Sequence, residues 1–234
     1  MGRLTDDRPK GLVEVNGTPL IDWQIGAMHD AGIDEVGIIT GYQADLLASR
    51  GNRHFHNKDW ATTNMVASLR CASEWLETHE CIISYSDIIY HYSAINLLLG
   101  SDDELAITYD PNWLQLWSLR FSDPLSDAET FKIDTNGMLL DIGGAPKSVD
   151  EIQGQYMGLV KVTPRGWTLV IDLLQSMDSK HQSTIHMTDL LREVGRLGRL
   201  KVKCFPYHDK WSEVDSTSDL KIASELLRKL RRRY

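Results

Sequence analysis

Short apolar runs alternate with amphipathic stretches through the first half of the chain. Leu12-Val13-Glu14-Val15 reads as a short β-like run, and Asn16-Gly17-Thr18-Pro19 as the turn after it. From Pro19 to Ala31, the residues Leu20, Ile21, Trp23, Ile25, Ala27 and Met28 form a broad apolar face. That face predicts a helix, opened by Pro19 and stopped by Gly32. Residues 35–42 predict a buried strand, 44–49 a short helix and 54–57 a strand or loop. Residues 63–76 predict a helix with Met65, Val66, Leu69, Ala72 and Leu76 inward. The run Cys81-Ile82-Ile83-Ser84-Tyr85-Ser86-Asp87 then predicts a strand buried on both faces, which changes character at Asp87. A helix over 93–99 and a strand over 104–110 follow. Alternation of this kind implies an α/β fold with a doubly wound parallel sheet.

From Asp110 the rhythm changes. Trp113 and Trp117 sit in a segment rich in Asp, Pro and Ser. Residues 129–134 and 138–142 flank Thr135-Asn136-Gly137, a hairpin signal. A strand over 155–162, a helix from Thr163-Pro164 to about Met177, a helix over 186–194 and a strand over 200–205 come next. The last helix starts near Thr217, where Ser216 and Asp219 have capping-box spacing. Its end, Arg228 to Arg233, reads as a solvated basic terminus. The expected organisation is one domain over 1–234 with an inserted β-lid at about 110–160.

Asp87 is the first candidate for chemistry. It falls at a strand's carboxyl end, where open α/β sheets bind ligands. A carboxylate there either holds a divalent cation that bridges phosphates or caps a turn. The residues alone leave both readings open. Composition narrows the field. A net charge of −8 argues against a general nucleic-acid binder. No apolar stretch approaches the roughly 18 residues of a membrane span, and no signal peptide is visible. Cys71, Cys81 and Cys204 are scattered, without disulfide or zinc spacing, which places the chain in a reducing cytoplasm. His54 and His56 lack a nearby third ligand for zinc.

The segment from Leu4 to Ile21, of pattern L-T-x-x-x-P-K-x-L-x-x-V-x-x-x-P-L-I, resembles the nucleotidyltransferases. Among them are the sugar-1-phosphate nucleotidyltransferases and the phosphocholine cytidylyltransferases. The resemblance continues through Ser86-Asp87 and through Glu213-Val214-Asp215-Ser216-Thr217-Ser218-Asp219-Leu220. Thr63 to Leu69 and Asp110-Pro111-Asn112-Trp113 with Trp117 are more similar to the phosphocholine branch. The resemblance implies a Rossmann-like mixed sheet of the nucleotide-diphospho-sugar transferase type. It implies Mg²⁺ as cofactor, held by Asp87 and Asp215, with Lys10 on the phosphates as a compact point charge. It implies a nucleoside triphosphate, CTP by branch, and a small phosphorylated or phosphonate acceptor as partners, with neither nucleic acid nor membrane. A homodimer is compatible with it.

Asn64 and Ser68 would face the nucleotide or the acceptor. Trp113, Trp117 and Tyr156 would form an aromatic box for a quaternary ammonium, or the tryptophans would simply pack. Asp110, Glu129 and Glu151 would alternatively recognise an amine. The family's opening strand and its glycine-rich phosphate loop find no counterpart in this sequence. The expectation is therefore that Met1 is an internal methionine of a longer chain, and that the 234 residues alone bind nucleotide poorly. Two other classes stay open: a nucleotide-sugar-dependent glycosyltransferase and a non-catalytic binding module. Asp87 is followed by Ile88 and Ile89 rather than by the second acid of an Asp-x-Asp pair, which counts against the glycosyltransferase.

Overall fold

The computed structural model describes residues 2–231, and the side-chain environments of 4–227. The end of the basic run Arg228 to Arg233 therefore lies outside the described residues. In chain order, β1 (Glu14–Val15) and β2 (Thr18–Pro19) form a small ladder that leads into α1 (Leu20–Asp30). Then come β3 (Gly37–Thr40), β4 (Arg53–His56), α2 (Met65–Arg70), α3 (Ser73–Leu76) and β5 (Cys81–Ser84). Next are β6 (Ile88–Ile89), α4 (Ser93–Leu99), β7 (Leu105–Asp110) and α5 (Trp113–Arg120). The hairpin β8 (Phe131–Ile133) and β9 (Leu139–Ile142) precedes β10 (Gln155–Val162). The chain continues through α6 (Pro164–Gln175), α7 (Ser179–Thr184), α8 (Met187–Leu197) and β11 (Lys203–Pro206). It closes with β12 (Ser212–Glu213) and α9 (Thr217–Arg231).

The main sheet runs in the order β11-β7-β10-β5. It is mixed: β11 lies parallel to β7, and β10 runs antiparallel to both of its neighbours. All six residues of β7 are buried, and the period-2 rule splits them between layers. Leu105, Ile107 and Tyr109 pack with α6 and α8, whereas Ala106 packs with α4 and α5. Burial on both faces explains why β7 and β10 read as continuous apolar runs. β10 stands in the middle of this sheet, so residues 155–160 belong to the sheet rather than to a lid. Eight residues of near-continuous burial leave β10 no solvent face.

Two elements depart from the pattern-based expectation. Residues 63–76 break into α2 and α3 at Cys71-Ala72, each only one or two turns long. Residues 113–120, within the stretch expected to form a β-lid, form α5, whose side chains Trp113, Leu116 and Trp117 are buried. β3 and β4 pair in parallel with each other and with no other strand among the described residues. Among the described residues, no helix is long and apolar enough to cross a membrane.

Candidate active site

Asp87 follows the carboxyl end of β5, and the strand pair β12–β6 brings a second acidic segment to it. Ser212 and Glu213 pair with Ile89 and Ile88, and the Val214 N–H donates to the Asp87 carbonyl at 2.9 Å. Alternation along Glu213-Val214-Asp215 puts the two acids on one side, while Val214 is fully buried on the other. Asp87, Glu213 and Asp215 thus converge, each offering a carboxylate oxygen within 4.8 Å of the others.

Two cations hold this cluster. Lys10 Nζ donates to Asp87 Oδ2 at 2.7 Å and also to Asp215 Oδ1. Arg120, at the end of α5, has a side chain that is 0% exposed. Its guanidinium reaches Glu213 at 2.7 Å, Asp215 at 3.0 Å and Asp219 at 3.2 Å. It also stacks 5.2 Å from the Trp117 ring and 5.0 Å from the Phe121 ring. Asp219 in turn accepts from the N–H groups of Asp215 and Ser216, while its own N–H donates to Ser216 Oγ. That reciprocal pair is a capping box at the start of α9, and it fixes the turn that carries Asp215.

The electrostatics follow from this packing. Burial pushes the Glu213 carboxyl up to about 7, against the pull of Arg120. Burial would also raise Asp215, but Lys10 and Arg120 hold it below the usual carboxylate range. Burial would lower Lys10, yet Asp87 and Asp215 keep its pKa above the ordinary value. Four carboxyl groups face two cations, so negative charge stands in excess. Asp87 Oδ1 is buried and has no hydrogen-bond partner. An orphaned carboxylate oxygen, hard oxygen donors and an excess of negative charge together fit a divalent cation such as Mg²⁺.

The other candidates lie in different surroundings. Asn64 Nδ2 donates to the Thr184 carbonyl at 2.6 Å and meets His186 Nε2 at 3.2 Å. Ser68 Oγ accepts from Asn57 Nδ2 at 2.8 Å. Tyr156 meets Tyr85 edge to face at 5.7 Å, and its hydroxyl is buried. Trp113 and Trp117 pack in the core with Trp211, at 3% and 4% exposure. The aromatic box expected of Trp113, Trp117 and Tyr156 is therefore not assembled. Spacing i, i+4 on α5 turns both indoles inward, and Tyr156 sits on β10 among a different set of side chains. Asp110 is likewise engaged, accepting from Trp211 Nε1 at 2.9 Å and from the Asn112 N–H at 2.7 Å. Glu129 stands near Thr188 Oγ1, and burial raises its carboxyl pKa. Glu151 accepts from the Lys147 N–H.

Sequence reasoning missed Glu213, Arg120 and Asp219 as parts of the cluster. A lone arginine closing the apolar run Trp113-Leu114-Gln115-Leu116-Trp117-Ser118-Leu119 was the available signal.

Acids converging at the carboxyl edge of a mixed α/β sheet, with a lysine among them, make the arrangement of a nucleotide-handling enzyme. Comparison with known proteins narrows the class. Residues 1–116 match the family model of the MobA-like NTP transferase domain. The chain is 34% identical over 238 residues to the CTP:phosphoglutamine cytidylyltransferase of Campylobacter jejuni, covering 95% of this chain and 93% of the relative. The fold resembles the inositol-1-phosphate CTP transferase of T. maritima, with a TM-score of 0.75 at 19% identity over 97% of this chain and 89% of that one. It also resembles the CTP:phosphocholine cytidylyltransferase of Streptococcus pneumoniae, with a TM-score of 0.71 at 19% identity over 97% and 93%. The chain belongs to the nucleotidyltransferase family and is an enzyme of that class.

Proposed function

We propose that this enzyme transfers a cytidylyl group from CTP to a small acceptor bearing a phosphate or phosphonate, with Mg²⁺, and releases pyrophosphate. The observation that carries the reading is the Asp87–Glu213–Asp215 cluster with Lys10 inside it. The likeness to a cytidylyltransferase over nearly the whole chain supports CTP as donor.

A phosphate monoester carries about −1.5 to −2 charge at pH 7, so it attacks without a dedicated base. The protein's work is alignment and charge neutralisation. Asp87 and Asp215 would hold Mg²⁺, with Glu213 beside them. The ion, when bound, supplies Lewis-acid charge neutralisation at the phosphates. Lys10, displaced from the two carboxylates, turns its ammonium to the same phosphates. Arg120 stays beneath, keeping Asp215 in place and compensating part of the cluster's charge. Asn64, just before α2, and Ser68, on it, are assigned to the nucleotide or the acceptor. Tyr156, with its buried hydroxyl, is assigned to the acceptor.

The test is pyrophosphate release with Mg²⁺ and each of the four common NTPs. The acceptor panel is phosphoglutamine, phosphocholine, 2-aminoethylphosphonate and a sugar 1-phosphate. The expected result is release with CTP and one acceptor class, abolished by chelation of Mg²⁺. Release with UTP or dTTP in preference to CTP would overturn the assignment of the base. Full release in the presence of chelator would overturn the assignment of the metal.

A further inference from the structure

Of the three acids that an amine could meet, two are committed. Asp110 accepts from Trp211 and the Asn112 N–H, and Glu151 accepts from the Lys147 N–H. Glu129 is different. Its backbone is locked to the start of β10: the Glu129 N–H donates to Gln155 Oε1 at 3.1 Å, and Gln155 Nε2 donates to the Glu129 carbonyl at 2.6 Å. Its half-buried carboxylate keeps one long contact, from Thr188 Oγ1 at 3.5 Å. The basic side chains that it feels, Arg192 and His186, face other partners. Arg192 reaches Asp189 at 3.1 Å and Asp141 at 3.4 Å, and His186 Nε2 meets the Asn64 amide. Among the described residues Glu129 forms no ion pair, and burial raises its carboxyl pKa.

A bulge builds the wall between this acid and Asp87. The register of β10 slips between Tyr156 and Val160, and Gly158 within the bulge has a φ of 84°. A side chain at Gly158 would meet the Tyr85 ring at 2.8 Å. Bare backbone there lets Tyr85 lie against β10, edge to face with Tyr156 at 5.7 Å. Burial raises the pKa of both hydroxyls, and the charges of Asp87 and Glu129 raise them further. The tyrosine pair thus stands within electrostatic reach of both acids, and Tyr85 precedes Asp87 by two residues.

We infer that Glu129 selects the acceptor, and that it selects one whose phosphate or phosphonate carries a tethered primary ammonium. The inference rests on the proposed reaction at Asp87 and names the substrate class of that site. A half-buried carboxylate without a cation is costly, and a ligand ammonium removes that cost. The ammonium has three N–H donors for the Glu129 oxygens, while Tyr85 and Tyr156 offer aromatic surface to its charge. A trimethylammonium has no N–H to donate and needs an aromatic box. The indoles that would close such a box, Trp113 and Trp117, lie in the core. An acceptor with a neutral tail leaves Glu129 unmatched.

The experiment compares phosphoethanolamine, phosphocholine and propyl phosphate, acceptors that differ only at the end of the tail. Their kcat/KM values are measured with CTP and Mg²⁺. Their Kd values are measured by calorimetry with a non-hydrolysable CTP analogue, so selectivity is also read without turnover. Phosphoethanolamine should be preferred over each of the others by about 10-fold or more. In Glu129→Gln that preference should fall about 10–100-fold, through KM and Kd rather than kcat, and Glu129→Asp should restore part of it. No preference for phosphoethanolamine in either measurement would overturn the inference, as would the same preference in Glu129→Gln. If Glu129→Gln does not fold, the ratios of the unmodified protein decide. Ammonium-selective binding without pyrophosphate release would uphold this inference and sink the proposed reaction. Release without selectivity would do the reverse.

Discussion

The carboxylate cluster and the tryptophan cluster meet at one side chain, Arg120, yet they are organised in opposite ways. The acids come from distant parts of the sequence and crowd like charges together, with one oxygen left unmatched. The tryptophans come largely from one helix, pack ring against ring and leave almost no surface to solvent. Folding drives apolar rings together without help, because their burial is favourable. Nothing in folding favours three carboxylates within a few ångströms, so that region is poised for a ligand rather than for stability. The contrast shows how to sort two sets of residues that look equally functional in a sequence.

The largest expected effect breaks the acidic side alone. Asp87→Asn should lower pyrophosphate release about 10³-fold, the equivalent of roughly 4 kcal/mol, while the melting temperature stays almost unchanged. Trp113→Ala is the converse. It should remove about 3–5 kcal/mol of stability in urea unfolding, with turnover per folded molecule nearly unaltered. Arg120→Lys tests the joint between the regions. A lysine keeps the charge but cannot fork to three carboxylates, so Mg²⁺ or Mn²⁺ affinity, measured by calorimetry without substrate, should weaken about 10–100-fold. Unchanged metal affinity would reduce Arg120 to a packing element.

The smallest effect is a pH dependence on the tryptophan side. Burial raises the Asp110 carboxyl pKa, although Trp211 and the Asn112 N–H pull it down. The folded protein therefore binds that proton more tightly than the unfolded chain does. Its contribution to stability is full below the unfolded value of about 3.9 and is lost as pH rises through the folded value. Asp110→Asn keeps an acceptor for Trp211 and should flatten that part of the urea-midpoint curve against pH. An unchanged slope would assign it to another group.

Much of this contrast was legible in the sequence. The apolar run 81–84 and the change at Asp87 located the site's first acid, and the family resemblance pointed to Asp215, whereas Glu213 was not singled out. Arg120 was not legible, because its partners lie 93 to 99 residues away and a single arginine on a leucine-rich helix is locally ambiguous. For Trp113 and Trp117 the sequence left an aromatic box and simple packing both open; the helix over 113–120 that turns them inward, and so decides for packing, was not part of the local reading. Alternation implied a parallel sheet, whereas the antiparallel placement of β10 depends on long-range pairing that no local pattern encodes.

The stacking of Arg120 on Trp117 gives the protein an optical readout. An indole 5.2 Å from a guanidinium senses the electric field that the guanidinium and its partner carboxylates set up. A ligand arriving at Asp215 alters that field without touching the ring. Trp117 is one of seven tryptophans, so a protein with the other six replaced by phenylalanine would isolate its emission. Site occupancy would then be followed as a colour change from beneath the floor of the site, with no label and no turnover.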